Sequence, residues 1–188
     1  MKNLLLASQS PRRQQLLRDA GFKIDVVKVD VEETFPGNLV AGEIPVYLAQ
    51  KKGAAYAEPL KNDVLITADT IVWLDGKVLN KPQTFDEAFV MIKSLQGKMH
   101  HVYTGVCLKS RWGTWTFCEA TEVYFSEISD QDITYYINTF KPYDKAGAYG
   151  IQEWIGYRFV EMINGCYNNV VGFPVARFCK EIDKFTAQ

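Results

Sequence analysis

The order of predicted elements favours an α/β protein built on a mixed sheet. Apolar strand-like runs alternate with helical segments, and a β-hairpin signal occupies the middle of the chain. The length of 188 residues fits one domain, and 47% apolar residues are enough for a core without disulfides or a structural metal. We therefore expect a single domain, 1–188, in which helices flank a twisted mixed sheet.

The first half of the chain supplies the alternation. Ser10 is placed to cap a helix that Pro11 opens, and Gly21 to end it. The apolar spacing predicts, in order, a strand over Leu4–Ala7, a helix over Pro11–Ala20, a strand over Lys23–Val29, a helix over Ile44–Ala57 and a strand over Val64–Ala68.

The second half begins with the hairpin and returns to alternating elements. Asp75-Gly76 marks a tight turn between strands over Ile71–Leu74 and Lys77–Leu79. The remaining predictions are a helix over Thr84–Leu95, strands over His101–Ser110 and Thr114–Phe125, a short helix capped by Ser129, a strand over Arg158–Ile163 and a helix over Pro174–Phe185.

Charge and hydropathy exclude several function classes. Lys and Arg total 21 against 22 Asp and Glu, a net charge of −1, which argues against a nucleic-acid coat and a polybasic membrane anchor. No apolar run approaches the roughly 18 residues of a spanning helix, and Leu4–Ala7 is too short for a signal sequence. The aromatic residues lack the interleaved basic tract of a single-stranded RNA binder. We expect a cytoplasmic protein without membrane or nucleic-acid partners.

Cysteine and histidine usage gives no metal signature. The four cysteines form no C-x-x-C pair, which predicts reduced thiols. His100 and His101 are adjacent in a strand-like stretch and therefore point to opposite faces. A zinc site is not expected.

The string Ser8-Gln9-Ser10-Pro11-Arg12-Arg13 breaks a local rule. Arginine in a first helical turn faces the positive end of the helix dipole, which costs about 0.3–1 kcal/mol. Two hydroxyls and two arginines at a helix N-terminus after a strand are typical of an anion site.

Carboxylates and lysines recur in other segments. Asp69 follows the apolar strand, at the place where open α/β sheets bind ligands, so it can bind a divalent cation, act as a general base or simply cap a turn. Lys52 lies in an Ala-rich helix, and Lys81 precedes a proline that keeps it extended. Glu33 ends the second predicted strand.

The glycine-bearing segment from Asp144 to Gln152 lets the backbone approach a ligand closely, and neither a Walker motif nor G-x-G-x-x-G is present. From the residues alone, these features indicate a phosphate-ester or polyphosphate site with carboxylates for a metal. Which bond is broken stays open at this point.

Six segments follow one another along the chain: Ala7–Arg13, Ala68-Asp69-Thr70, Lys81-Pro82, Gly97–Val106, Asp144–Gln152 and Gly165–Pro174. Together, and in this order, they closely resemble the Maf family. The resemblance implies a fold related to the inosine triphosphatases, with two lobes around a central cleft. It also implies a nucleoside triphosphate pyrophosphatase that needs a divalent cation (Mg²⁺, Mn²⁺ or Co²⁺), and a homodimer.

The resemblance also implies roles for individual residues. Asp69 matches the catalytic carboxylate, with Lys52 and Lys81 as catalytic cations, and Glu33 joins Asp69 at the metal. The positions that match substrate-binding residues are Ser8, Ser10, Arg12, Arg13, Thr70, Lys145 and Gln152. The Lys145–Gln152 string is similar to the branch that prefers dTTP and UTP.

A second function class is compatible with the same residues. A nucleotide-binding regulator of cell division would need the site but not turnover. The presence of Asp69 together with Lys52 and Lys81 favours the enzyme, and comparing dTTP binding with dTTP hydrolysis separates the two.

Overall fold

The computed structural model describes residues 3–187, which form seven β-strands and seven α-helices. The strands are β1 (Leu4–Leu6), β2 (Ile24–Val26), β3 (Val64–Leu74), β4 (Lys77–Leu79), β5 (Met99–Ser110), β6 (Gly113–Phe125) and β7 (Val160–Asn164). The helices are α1 (Pro11–Asp19), α2 (Glu43–Ala55), α3 (Phe85–Leu95), α4 (Asp130–Phe140), α5 (Trp154–Phe159), α6 (Tyr167–Val171) and α7 (Val175–Thr186). Two 3₁₀ turns, Pro142–Asp144 and Ala146–Ala148, lie between α4 and α5.

The strands form a mixed sheet in the order β2-β1-β3-β5-β6-β7, with β4 also paired to β3. β1 pairs in parallel with both β2 and β3, whereas β4 on β3 and β7 on β6 are antiparallel. The α/β class with a mixed sheet and flanking helices is therefore confirmed. The twist of the sheet and the cleft that the resemblance implies stay predictions.

The largest correction to the predicted elements concerns β3. The prediction ended one strand at Ala68 and began another at Ile71, but a single strand runs from Val64 to Leu74. The polar pair Asp69-Thr70 does not break it, because side chains from two helices supply hydrogen-bond partners there. Asp69 therefore lies within a strand and not at its end.

Smaller corrections concern the second half of the chain. α4 is a full helix of 11 residues, because Ile133, Tyr136 and Ile137 give it a buried face. Arg158 belongs to α5, and the last strand begins only at Val160. The short helices α5 and α6 were not predicted, since five or six residues are too few to show helical periodicity.

The chain divides into two compact units, each with its own core. The first unit comprises residues 1–70, 104–119 and 172–188, and the second comprises residues 71–103 and 120–171. Leu6, Ile66 and Phe178 are fully or almost fully buried in the core of the first unit, and Ile92, Val123 and Ile137 in that of the second. The prediction of a single domain concerns the whole chain and stays a prediction.

Within residues 3–187, no helix has both the length and the apolar character that crossing a membrane requires.

His100 is buried, shares a hydrogen bond with the Tyr149 hydroxyl, and has a pKa lowered to about 3 by burial. It is therefore a neutral core residue, while His101 on the opposite face is half-buried and stacks on Tyr103.

Helix α2 lies against β5 at a glycine. A Cβ added to Gly105 would lie only 2.3 Å from the Pro45 carbonyl carbon and from the Val46 nitrogen. Both of these are backbone atoms that cannot rotate away. The absence of a side chain at Gly105 thus sets the distance between α2 and the sheet.

Replacing Gly105 by Ala should lower the free energy of unfolding by about 3 kcal/mol, because helix α2 must be displaced. In thermal denaturation this corresponds to a Tm lower by roughly 6–12 °C for a chain of this size. The matched control is Gly37→Ala, where no atom of the described residues lies within 4 Å of the added Cβ. Equal melting temperatures for the two variants would contradict the prediction.

Candidate functional site

The site of the first unit begins with the alternation of side chains along β3. Successive residues of a strand point to opposite faces, so Thr67 and Asp69 share one face while Ala68 and Thr70 belong to the other. Thr67 is fully buried and Asp69 is 8% exposed. The strand therefore presents the Asp69 carboxylate on one face and the Thr70 hydroxyl on the other.

Helix α2 covers the Asp69 face. The Thr67 hydroxyl donates to the Ala49 carbonyl oxygen at 2.6 Å, which fastens the helix to the strand. One helical turn is 3.6 residues, so Lys52 lies close to the same side of the helix as Ala49. Its Nζ donates to Asp69 Oδ1 at 2.6 Å.

The same ammonium binds a second carboxylate. Lys52 Nζ donates to Glu33 Oε1 at 2.7 Å, and Glu33 lies in the irregular segment between β2 and α2. The side chains of Lys52 and Asp69 are 14% and 10% exposed, against 47% for Glu33. The two carboxylates predicted to hold a metal therefore meet at one lysine.

Helix α1 begins beside the other face of β3. The Ser10 hydroxyl accepts a hydrogen bond from the Arg13 amide at 3.4 Å, and Pro11 occupies the first helical turn. The Ser8 hydroxyl accepts one from the Ser10 amide at 3.3 Å. The predicted cap and helix start are confirmed, and both hydroxyls order the turn between β1 and α1.

Arg13 is buried and connects four segments of the first unit. Its Nη1 donates to Ser8 Oγ at 2.9 Å and to the Ala68 carbonyl oxygen at 3.1 Å. Its Nε donates to the Gly172 carbonyl oxygen at 3.1 Å, and its Nη2 to Thr70 Oγ1 at 3.2 Å. These bonds use four of the five N–H donors of a guanidinium.

The two adjacent arginines therefore differ in environment. Arg13 is 8% exposed, whereas Arg12 is only half-buried. Burial lowers the pKa of Arg13 and Arg12 lowers it further, while the nearby Asp69 and Glu33 carboxylates oppose that shift. Arg13 remains a guanidinium cation fixed among protein acceptors.

Thr70 extends this network to a residue that the sequence analysis did not single out. Thr70 Oγ1 lies 2.9 Å from Thr104 Oγ1 and donates to the Gly172 carbonyl oxygen at 3.3 Å. Thr104 is fully buried in β5. A hydroxyl next to Gly105 inside a long apolar strand was the available signal, because a buried hydroxyl requires a partner.

Lys145 lies in the second unit, within a cluster of its own. It is 9% exposed, and its Nζ lies 2.8 Å from Asp144 Oδ1 and 3.0 Å from Glu153 Oε1. Asp144 accepts a hydrogen bond from this ammonium, and Glu153 forms an ion pair with it. Lys145 thereby joins the two ends of the predicted Asp144–Gln152 segment.

Tyr136 of α4 belongs to the same cluster, because it contacts both Glu153 and Gly150. Its hydroxyl donates to Glu153 Oε2 and accepts from the Gly150 amide, the latter at 3.1 Å. Burial and the bond to Glu153 raise the pKa of Tyr136, so it stays a neutral donor. Neither Tyr136 nor Glu153 was predicted, because both act through Lys145 and Gly150 and carry no motif of their own.

Lys81 and Gln152 complete the predicted set. Lys81 is exposed and follows β4, while Gln152 is half-buried beside Glu153. The Gly147 amide donates to the Asn80 carbonyl oxygen at 3.2 Å, which ties the segment before Lys81 to the one before Gln152. The second unit thus holds both residues on segments that are hydrogen-bonded to each other.

The residues predicted as site residues fall into two groups. Those of the first unit are Ser8, Ser10, Arg12, Arg13, Glu33, Lys52, Asp69 and Thr70, and those of the second are Lys81, Lys145 and Gln152. Direct contacts join Lys52 to both carboxylates, and Arg13 to Ser8 and Thr70. Their roles toward a ligand stay predictions.

Replacing Tyr136 by Phe should lower the free energy of unfolding by about 1–3 kcal/mol, because the half-buried Glu153 carboxylate and the Gly150 amide lose one partner each. The control is Tyr135→Phe at the neighbouring position. Tyr135 is 49% exposed, and its ring packs on Trp154 in a way that Phe retains. Thermal denaturation should place the Tm of the Tyr136 variant several degrees below that of the control. Identical curves would show that the hydroxyl does not stabilise this segment.

Comparison with known proteins places the chain in a family. The family model described as Maf-like protein matches residues 3–185. The chain therefore belongs to the Maf-like proteins, and the resemblance seen in its motifs is confirmed.

Individual relatives cover almost the whole chain. It is 51% identical over 183 residues to the "dTTP/UTP pyrophosphatase" of Phocaeicola vulgatus, which covers 96% of this chain and 95% of that protein. It is 46% identical over 175 residues to the protein of the same name from Flavobacterium johnsoniae, covering 93% and 90%. A solved HAM1 protein from Coxiella burnetii aligns with 68% of this chain and 75% of that chain, at 17% identity and a TM-score of 0.44, a likeness too weak to extend these findings.

Proposed function

We propose that this chain is a nucleoside triphosphate pyrophosphatase that hydrolyses dTTP and UTP to the monophosphate and pyrophosphate. The observation that carries the proposal is the cluster of Asp69, Lys52 and Glu33, in a chain 51% identical to a protein named dTTP/UTP pyrophosphatase. A cation held between two carboxylates in a partly buried site suits charge-driven chemistry on a polyanion.

Hydrolysis of the phosphoanhydride between the α- and β-phosphorus atoms requires a placed water and offset phosphate charge. The Asp69 carboxylate accepts the proton of the attacking water, whose oxygen bonds to phosphorus as the bridging P–O bond breaks. Before a nucleotide binds, Lys52 holds the Asp69 carboxylate at 2.6 Å. A carboxylate held in this way is in position to orient the attacking water.

The other residues bind and orient the triphosphate. Family membership supports phosphate contacts from Arg12, Lys52 and Lys81, with the Ser8 and Ser10 hydroxyls beside them. Arg13 and Lys145 act mainly by holding neighbouring segments, since protein acceptors surround both cations. Family membership also supports a role for Thr70 and for Gln152 in selection of the base.

A divalent cation fits the carboxylates of the first unit. Mg²⁺ typically takes one or two carboxylates plus phosphate oxygens and waters, and does not need an all-protein cage. Across residues 3–187, no group of three or more His, Cys, Asp or Glu side chains is arranged to hold a metal ion, whereas Glu33 and Asp69 converge on one point. These two residues would hold Mg²⁺, Mn²⁺ or Co²⁺, which would offset phosphate charge when bound.

Family resemblance supports two further parts of the proposal. The protein forms a homodimer, which light scattering after size-exclusion chromatography tests as a mass of twice 21.4 kDa. It acts on a small-molecule substrate in the cytoplasm. Fractionation of cells that express the tagged chain tests this location.

The function is tested with a panel of nucleoside triphosphates and direct detection of products. We expect dTTP and UTP to yield monophosphate plus pyrophosphate, with slower turnover of CTP, ATP and GTP. Release of diphosphate and inorganic phosphate would contradict the bond assignment. Binding of dTTP without any turnover would instead support a nucleotide-binding regulator.

A further inference from the structure

The ammonium of Lys52 donates hydrogen bonds to both carboxylates proposed to hold the metal. Its Nζ lies 2.6 Å from Asp69 Oδ1 and 2.7 Å from Glu33 Oε1. Hydrogen bonds this short between ionised groups are the strong, charge-assisted kind. The ammonium therefore satisfies the carboxylates that a divalent cation would also need.

The ammonium of Lys52 opposes a divalent cation at these two carboxylates. Two carboxylates and one ammonium leave a net charge of −1, and the buried Arg13 guanidinium lies close enough to Asp69 to interact with its charge. A cation bound to both carboxylates would lie within a few ångströms of the ammonium. Repulsion at that distance is strong because Lys52 and Asp69 are largely shielded from water.

Two hydrogen bonds hold the backbone of α2 on either side of Lys52. Thr67 binds the Ala49 carbonyl oxygen, and Lys109 Nζ donates to the Gly53 carbonyl oxygen at 2.9 Å. The four-carbon stem of Lys52 lets its ammonium reach other acceptors without moving the helix. Phosphate oxygens are the acceptors that a bound triphosphate would supply.

We propose that Lys52 acts as an internal counter-cation that opposes divalent metal binding until a nucleoside triphosphate takes over its ammonium. Metal and nucleotide then bind cooperatively, and each strengthens the affinity of the other by the same factor. The identity of the nucleotide rests on the proposed function. The opposition between Lys52 and the metal rests only on the geometry of the cluster.

The test measures Mn²⁺ binding to the protein without nucleotide, by titration calorimetry or by the electron paramagnetic resonance signal of free Mn²⁺. Lys52→Met should bind Mn²⁺ at least about tenfold more tightly than the unchanged protein, a typical size of coupling between sites. Lys52→Gln, which retains a polar head, provides a second variant if the Met side chain impairs folding.

The matched control is the neighbouring lysine. Lys51 Nζ donates to the carbonyl oxygen and the hydroxyl of Thr34, both at 3.0 Å, so Lys51→Met removes the same charge without freeing either carboxylate. Its Mn²⁺ affinity should remain within about twofold of the unchanged protein, since an exposed charge is screened. Adding Glu33→Gln to Lys52→Met should abolish the gain.

A second arm includes the nucleotide. With α,β-imido-dUTP, which resists cleavage of the relevant bond, the unchanged protein should gain about tenfold or more in Mn²⁺ affinity, and Lys52→Met clearly less. Unaltered or weaker Mn²⁺ binding by both Lys52 variants would overturn the proposal, as would an equal gain in Lys51→Met.

Failure of the inference and failure of the proposed function are distinguishable. Pyrophosphate release by the unchanged protein tests the function alone. If pyrophosphate is released but the Lys52 variants gain no Mn²⁺ affinity, only the role of Lys52 is wrong. If no triphosphate is hydrolysed but the gain is observed, the opposition between lysine and metal is upheld and the proposed function is wrong.

Discussion

Asp69→Asn should lower kcat for dTTP hydrolysis by about 10²–10⁴-fold, the usual contribution of a general base. The amide cannot accept the proton of the attacking water, yet it matches the carboxylate in size and leaves an oxygen to receive the Lys52 hydrogen bond. Glu33 continues to pair with Lys52, so the cluster keeps one ion pair. Pyrophosphate release under saturating substrate measures the loss.

Asp63→Asn is the control for that variant. Asp63 directly precedes the same strand, and its carboxylate accepts a hydrogen bond from Asn3 Nδ2 at 3.0 Å, which an amide oxygen can also accept. Circular dichroism and Tm should show that both variants fold. Full turnover by folded Asp69→Asn would remove Asp69 from the chemistry, and equal losses in the two variants would indicate a general effect of lost charge.

Arg13→Met should destabilise the protein far more than Arg12→Met. The change at Arg13 removes four hydrogen bonds, to Ser8, Thr70 and the carbonyl oxygens of Ala68 and Gly172. Losing these charge-assisted bonds at a buried position should cost about 2–4 kcal/mol, which corresponds to a Tm lower by roughly 5–15 °C for a chain of this size. Arg13→Lys should not restore the Tm, because one ammonium cannot reproduce the planar arrangement of donors.

Arg12→Met should affect substrate binding and leave the stability of the fold almost unchanged. It is half-buried in the first turn of α1, where an arginine is unfavourable for the helix dipole, so its loss should change the Tm by no more than about 2 °C. If it contacts substrate phosphates, KM for dTTP rises in Arg12→Met. A raised KM with an unchanged Tm in Arg13→Met would instead make Arg13 the substrate ligand.

Local rules of the sequence explain why much of the fold was predictable. Ser10 and Pro11 begin α1, Ser129 caps α4, and Asp75-Gly76 turns the chain between β3 and β4. Each of these features depends on residues within one turn or strand of one another. Neighbouring residues in sequence carry that information without reference to the rest of the molecule.

The element that was predicted wrongly shows what local rules omit. Asp69-Thr70 reads as the end of a strand, because a carboxylate inside a buried strand is costly without a partner. Lys52 is 17 residues away and Arg13 is 56 residues before Asp69, so no local pattern reveals that partners exist. Tertiary contacts make the polar pair compatible with one continuous strand.

The sequence was enough to predict the α/β class, the residue types of a polyanion site and the Maf resemblance, because motifs and periodicity are properties of neighbouring residues. Tertiary structure alone decided that adjacent Arg12 and Arg13 differ in burial, and that Glu33 and Asp69 share the ammonium of Lys52. Burial and charge pairing depend on which distant segments meet. In this near-neutral chain of net charge −1, Lys52 and Lys145 therefore lie beside carboxylates, while Arg13 donates to hydroxyl and carbonyl oxygens.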